Sequence, residues 1–63
     1  AVEAHEALAA VAALADEYRD AVVAVDLAGL SYREAAKALG TREGTIMSRL
    51  YRGRERVADA IGA

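Results

Sequence analysis

A capped helix that ends at a glycine is the feature of this sequence that most restricts its fold. Ser31 and Glu34 are three residues apart, the spacing of a reciprocal capping box, so a helix is predicted to begin at Ser31. Gly40 stands where a left-handed residue usually ends a helix, and Thr41 is predicted to cap the next one. So short a turn makes two helices cross steeply, and residues 31–52 therefore predict a helix-turn-helix.

The second helix of this unit, predicted from about Arg42 towards Ala60, has one apolar and one polar face. The apolar stripe consists of Ile46, Leu50, Val57 and Ile61, with Gly53 on the same stripe. At about 100° per residue, the opposite face carries Gly44, Thr45, Ser48, Tyr51, Arg52 and Glu55, flanked by Met47 and Arg49. Small polar residues followed by Arg suit a helix that enters the DNA major groove. Helical hairpins with a basic face also occur in proteins that do not bind DNA, so the pattern alone leaves both interpretations open.

The composition predicts one small all-α domain. The 63 residues include no Pro, Cys, Trp or Phe, so the core must consist of Leu, Val, Ile and many Ala, without a disulfide or a Cys-ligated metal. No apolar run approaches the roughly 20 residues that cross a bilayer, and no signal peptide is evident. We therefore expect a cytoplasmic protein, and the start without Met suggests a fragment of a longer chain.

The charge is distributed unevenly along the chain. Residues 1–30 hold one basic and six acidic side chains, a net charge of −5, whereas residues 31–63 hold seven basic and four acidic ones, a net charge of +3. The overall charge of −2 thus conceals a basic pole on the helix-turn-helix, which is where a phosphate backbone would be attracted.

Two further helices are predicted before the helix-turn-helix. The first, Val2 to Leu14, carries a narrow apolar stripe of Leu8, Val11 and Leu14. The second, about Glu17 to Ala28 with Asp16 as its cap, carries a broad apolar band of Tyr18, Ala21, Val22, Val25 and Leu27, which Val23 widens. Gly29 is predicted to be left-handed, with Leu30 closing the helix end. The band either fills the core or stays partly exposed as a partner site.

A family resemblance covers most of the chain. Residues 15–57, which include GLSYREAAKALG and GTIMSRLYRGRERV, closely resemble region 4 of the extracytoplasmic-function (ECF) sigma factors in the sigma-70 superfamily. The resemblance implies a four-helix domain whose last helix reads the minus-35 promoter element. It also implies contact with the flap-tip helix of the RNA polymerase beta subunit and, often, binding by an anti-sigma factor. The chain departs from the family in Ala15, where Pro is common, and in Met47, where many relatives carry Arg.

Roles on the DNA-facing surface follow from position along the helices. The predicted base-reading residues are Thr45, Ser48, Arg52 and Tyr51, and the predicted phosphate contacts are Arg33, Lys37, Arg42 and Arg49. Tyr51 either touches sugar-phosphate or a thymine methyl, or merely covers the helix. Arg54 and Arg56 are expected to add nonspecific attraction, and Glu55 and His5 to be solvated surface residues.

Two other functions remain open from the sequence. One is the helix-turn-helix output domain of a response regulator, which needs its last helix for dimerisation. The other is a docking bundle for an anti-sigma factor that no longer binds DNA. No nucleophile and base pair, metal cluster or phosphate loop is present in the sequence, so we expect neither an enzyme nor a cofactor.

Overall fold

The computed structural model describes residues 3–62, which form four helices and no strand, as the all-α prediction requires. The helices are α1 (Ala4–Ala12), α2 (Asp16–Val22), which continues into a π-helical turn (Val23–Leu27), α3 (Tyr32–Leu39) and α4 (Glu43–Ala60). None of the described helices is both long and apolar enough to cross a membrane.

The predicted start and end of α3 are confirmed. The Glu34 N–H donates to the Ser31 hydroxyl at 3.0 Å, and the Ser31 N–H donates to the Glu34 carboxylate at 2.9 Å, which completes the capping box. Gly40 is left-handed with φ of 67°. The Thr41 N–H then donates to the Ala36 carbonyl at 2.9 Å, which is the long bond of a Schellman motif.

Thr41 is not the cap of α4, and this part of the prediction is wrong. The N-cap is Arg42, in extended conformation, and its side chain makes no capping hydrogen bond. The physical reason is that Thr41 is the last residue of the Schellman motif that ends α3, and the residue directly before the first helical residue, Glu43, is Arg42.

The predicted cap of α2 is also wrong by one residue. Ala15 is the N-cap, and Asp16 is the first helical residue, where its charge still favours the positive end of the helix. Asp16 lies 3.2 Å from Arg19, one turn later. The break between α1 and α2 is clean, because α1 ends at Ala12 rather than at Leu14. Val2, the predicted start of α1, lies outside the described residues.

The end of α2 differs from the prediction in the width of its last turn. The Ala28 N–H donates to the carbonyl of Val23, five residues back, at 2.8 Å, which defines a π-helical turn. Gly29 follows with φ of 76°, left-handed as predicted. The Leu30 N–H donates to Ala24 at 3.0 Å, one residue further back than in an ordinary Schellman end.

The core consists mainly of small and branched side chains. Its buried members are Val11, Leu14, Ala21, Val22, Ala24, Ala35, Ala36, Ile46 and Leu50. Two predicted stripe residues lie outside it, because Leu8 and Leu27 are 52% and 54% exposed, and Val23 is also exposed. On α4 the predicted stripe is confirmed, since Ile46, Leu50 and Gly53 are buried and Val57 and Ile61 are half-buried.

Gly53 allows α4 to approach α2 closely. A Cβ atom at this position would lie 2.7 Å from the Cγ2 methyl of Val22 and 3.4 Å from the carbonyl oxygen of Tyr18. The absence of a side chain at Gly53 therefore sets the distance between the two helices and fixes α4 on the scaffold.

Candidate nucleic-acid interface

The side of α4 that points away from the other helices, which we call the outer face, is polar and accessible. It consists of Gly44, Ser48, Tyr51, Arg52 and Glu55, all of which are exposed. Because Ile46 and Leu50 hold the opposite side in the core, the helix presents this face outward over about three turns.

Thr45 lies at the border of the outer face and is half-buried. It lines a recess between α2 and α4 together with Glu17, Tyr18, Ser48, Arg49 and Arg52. The structure thus brings three of the four predicted base-reading residues and one predicted phosphate contact together. Glu17, an acidic residue at the same recess, was missed by the sequence reasoning, because nothing in the sequence places the first turn of α2 beside α4.

The hydroxyl of Ser48 is partly committed within the helix. Its Oγ donates to the carbonyl oxygen of Thr45 at 3.1 Å. A hydroxyl that donates in this way keeps its lone pairs free as acceptors. In this rotamer Ser48 can accept a hydrogen bond from an amino group on a base edge, such as that of adenine or cytosine.

The four predicted phosphate contacts lie around the outer face. Arg33 and Lys37 are exposed on one side of α3, four residues apart; Arg42 is exposed at the start of α4, and Arg49 is half-buried. Within residues 3–62, none of these four cations is paired with a carboxylate at 4.0 Å or less. Their charges are therefore available to an anionic partner.

Arg54 has a different role from the one expected. Its guanidinium donates to both carboxylate oxygens of Asp26, at 2.9 and 2.6 Å, and so joins α4 to the π-helical turn. This hydrogen bonding lowers the pKa of Asp26 below its usual value. Burial partly opposes the shift, and the attraction of the positive charge on Arg54 lowers the pKa further. It also raises the pKa of Arg54. The pair was missed because its members are 28 residues apart in sequence.

Arg56 is likewise engaged with the scaffold. Its guanidinium carbon lies 4.6 Å from the centre of the Tyr18 ring, a cation–π distance. Arg56 is exposed and keeps its positive charge beside the neutral ring, so the attraction of Arg54 and Arg56 for DNA stays a prediction, and Glu55 is exposed as expected.

The part of the chain that the structure describes contains no group of His, Cys, Asp or Glu able to hold a metal ion. His5 is exposed, as expected, and its Nδ1 lies 3.1 Å from a carboxylate oxygen of Glu3.

Comparisons with known proteins identify the relatives of the chain. Residues 4–57 match the family described as Sigma-70, region 4. The chain is 47% identical over 53 residues to the ECF RNA polymerase sigma factor SigE of Mycolicibacterium smegmatis, covering 84% of this chain and 21% of that protein. It is 50% identical over 46 residues to the ECF RNA polymerase sigma factor SigM of Mycobacterium tuberculosis, covering 73% of this chain and 24% of that protein. The chain thus spans between a fifth and a quarter of these curated relatives. No solved structure matches it significantly.

Proposed function

The chain belongs to the sigma-70 region 4 family, and from this premise we propose that it is the C-terminal promoter-recognition domain of a longer, alternative ECF sigma factor. In this function α4 enters the major groove of the minus-35 promoter element and helps RNA polymerase to begin transcription. The domain binds and positions, and it carries out no reaction of its own.

The orientation of α4 is the strongest support for the proposal. The apolar stripe of α4 is clamped in the core while Ser48 and Arg52, one turn apart, are both exposed on the opposite side. A helix held in this way can be inserted into a groove as a rigid element, with its first turns against base edges. The exposed cations on α3 and at the start of α4 supply the attraction for phosphates.

The length and the hydrogen-bonding groups of each side chain indicate which residues read bases and which contact phosphates. Arg52 can bind guanine through two hydrogen bonds, and Ser48 offers an acceptor to an amino group. Thr45 and Tyr51 complete the base-reading set. Arg33, Lys37, Arg42 and Arg49 fix the register by contacting phosphates, which carry no sequence information.

Protein partners are part of the same proposal. The beta flap of core RNA polymerase and an anti-sigma factor would bind surfaces away from the outer face of α4. Exposed apolar side chains on α1 and on the π-helical turn support such a protein-binding surface, namely Leu8, Val23 and Leu27. Promoter binding places the protein in the cytoplasm.

The proposal is tested by selecting duplexes from a randomised DNA library with the chain at low salt. We expect a short enriched motif, and we expect Arg52→Gln to lose roughly 1–3 kcal/mol of discrimination at one base pair, because it removes one bidentate contact. Lys37→Gln is the matched control. It should weaken binding to all sequences alike and lower the slope of log K against log salt by about 0.9.

Two results would count against the proposal. Equal losses by Arg52→Gln on the selected and on scrambled DNA would remove this residue from base reading, and an absence of any enriched motif would contradict promoter recognition. The response-regulator alternative makes its own prediction, a homodimer that forms on DNA, which light scattering on the complex would detect. The family match favours the sigma-factor function over this alternative.

A further inference from the structure

Three apolar side chains form a patch at the edge of the outer face of α4, to which one of them, Tyr51, also belongs. Met47 is 49% exposed, Tyr51 is 68% exposed and Tyr32, the first residue of α3, is 37% exposed. They line one shallow groove with Leu50 beneath and with Arg54 and Glu55 at its edge. We call Tyr32, Met47 and Tyr51 the apolar patch. Exposed apolar area of this kind usually marks a binding surface.

The position of the patch indicates what covers it. Met47 and Tyr51 are four residues apart, so they lie on the same side of α4, and both lie to one side of the exposed Ser48. Arg33 follows Tyr32 on α3 and Arg42 lies at the start of α4, both exposed, whereas Glu55 at the edge of the groove is acidic. Because Tyr51 also belongs to the outer face, the occupant is the molecule that this face contacts, and it must present small apolar groups to the patch. B-DNA satisfies both conditions, because each thymine places a C5 methyl group in the major groove.

We propose that Met47 and Tyr51 are specificity-determining residues that select thymine by contact with its methyl group. The inference rests on the proposed function, since it requires α4 to lie in the major groove. The two Cα positions are about 6 Å apart along the helix axis, which is close to two base steps of about 3.4 Å. The two residues are therefore far enough apart to contact two different thymines.

The test compares thymine with uracil, which lacks only the methyl group. A randomised duplex library is prepared once with thymidine and once with deoxyuridine, and each is selected with the wild-type chain at low salt. We expect the first library to yield a motif with one or two invariant thymines. At those positions the uracil duplex should bind about fourfold more weakly for each methyl removed, because about one buried methyl group is lost.

Variants assign each methyl contact to a residue. Met47→Gln keeps the length and helix propensity of the side chain but not its apolar character, and it should abolish the thymine preference at one position. Met47→Leu should retain the preference. Tyr51→Gln should abolish the preference at the second position only. Ala9→Gln is the control, because Ala9 is an exposed apolar residue of α1, and it should leave both preferences unchanged.

The outcomes separate the inference from the function on which it rests. If the wild-type chain selects one motif and binds its thymine and uracil forms equally, the methyl contact is refuted while promoter recognition stands. If Met47→Gln leaves the preference intact, Met47 has no part in it. If neither library yields a motif, the proposed function fails and the inference fails with it. Because the uracil comparison uses the wild-type chain, it does not depend on any variant being folded.

Discussion

The inner and outer faces of α4 belong to one helix but follow different physical rules. On the inner face Ile46 and Leu50 are 0% and 1% exposed, and Gly53 has no room for a side chain. On the outer face Tyr51 is 68% exposed, and at Gly44 an added Cβ would meet nothing within 4 Å. Stability and recognition are therefore separable in α4, because substitutions on one face should leave the property of the other face largely unchanged.

The largest difference in stability between the two faces is expected at Leu50. Leu50→Ala should lower the free energy of unfolding by about 2–5 kcal/mol, because it removes buried methyl groups and leaves a cavity. Ser48→Ala, two residues earlier on the outer face, should change it by less than about 0.5 kcal/mol. Urea denaturation followed by circular dichroism measures both. Similar losses in the two variants would show that the faces are not energetically distinct.

The two glycines of α4 allow the same substitution to be made on each face. Gly53→Ala gains about 1 kcal/mol of helix propensity, but its Cβ clashes with the stiff Val22 side chain, and such overpacking costs about 1–3 kcal/mol. We expect a net destabilisation of about 1 kcal/mol. Gly44→Ala adds the same methyl group in open space and should stabilise by about 0.5–1 kcal/mol. Thermal denaturation should therefore shift in opposite directions, and a rise in both melting temperatures would contradict the tight contact at Gly53.

The smallest effect is expected at the Asp26–Arg54 pair, which lies between the two faces. Because the folded state lowers the pKa of Asp26, the pair adds stability above the ordinary carboxyl pKa of about 4, and this is lost as the pH falls through the lower folded-state value. Both side chains are partly exposed, so the contribution is about 0.5–1 kcal/mol. Asp26→Asn should reduce the acid-range slope of stability against pH, and Arg54→Met should reduce it equally. Glu34, whose pKa the Ser31 N–H lowers, keeps its own contribution in both variants.

Local signals in the sequence predicted α3 and α4 well. The capping box, the left-handed Gly40 and the stripe through Ile46 and Leu50 each depend on residues within two turns of one another, so the spacing alone predicts them. The single-residue errors at Thr41 and Asp16 have local causes as well. A cap prediction identifies a suitable side chain but does not indicate whether its position has already been used to end the preceding helix.

What the sequence could not predict depends on contacts between distant segments. The Asp26–Arg54 pair and the recess that joins Glu17 to Thr45 exist only because α2 packs against α4. The periodicity of α4 correctly predicted that Ser48 and Arg52 are exposed, but it treated Thr45 as fully outward, since a helical wheel does not include the neighbouring helix. The DNA contacts of these residues stay predictions that the selection experiment tests.

The π-helical turn at the end of α2 has a consequence for how the domain can vary in length. A π-helical turn contains one residue more than the α-helical turn that would connect the same two segments. The segments before and after it therefore keep their orientation when one residue is lost. Deletion of an exposed residue such as Leu27 would convert the turn to regular α-helix while Val22 and Leu30 stay directed towards the core. The end of α2 is thus the point at which the chain can gain or lose one residue without a change in the packing of α3 and α4.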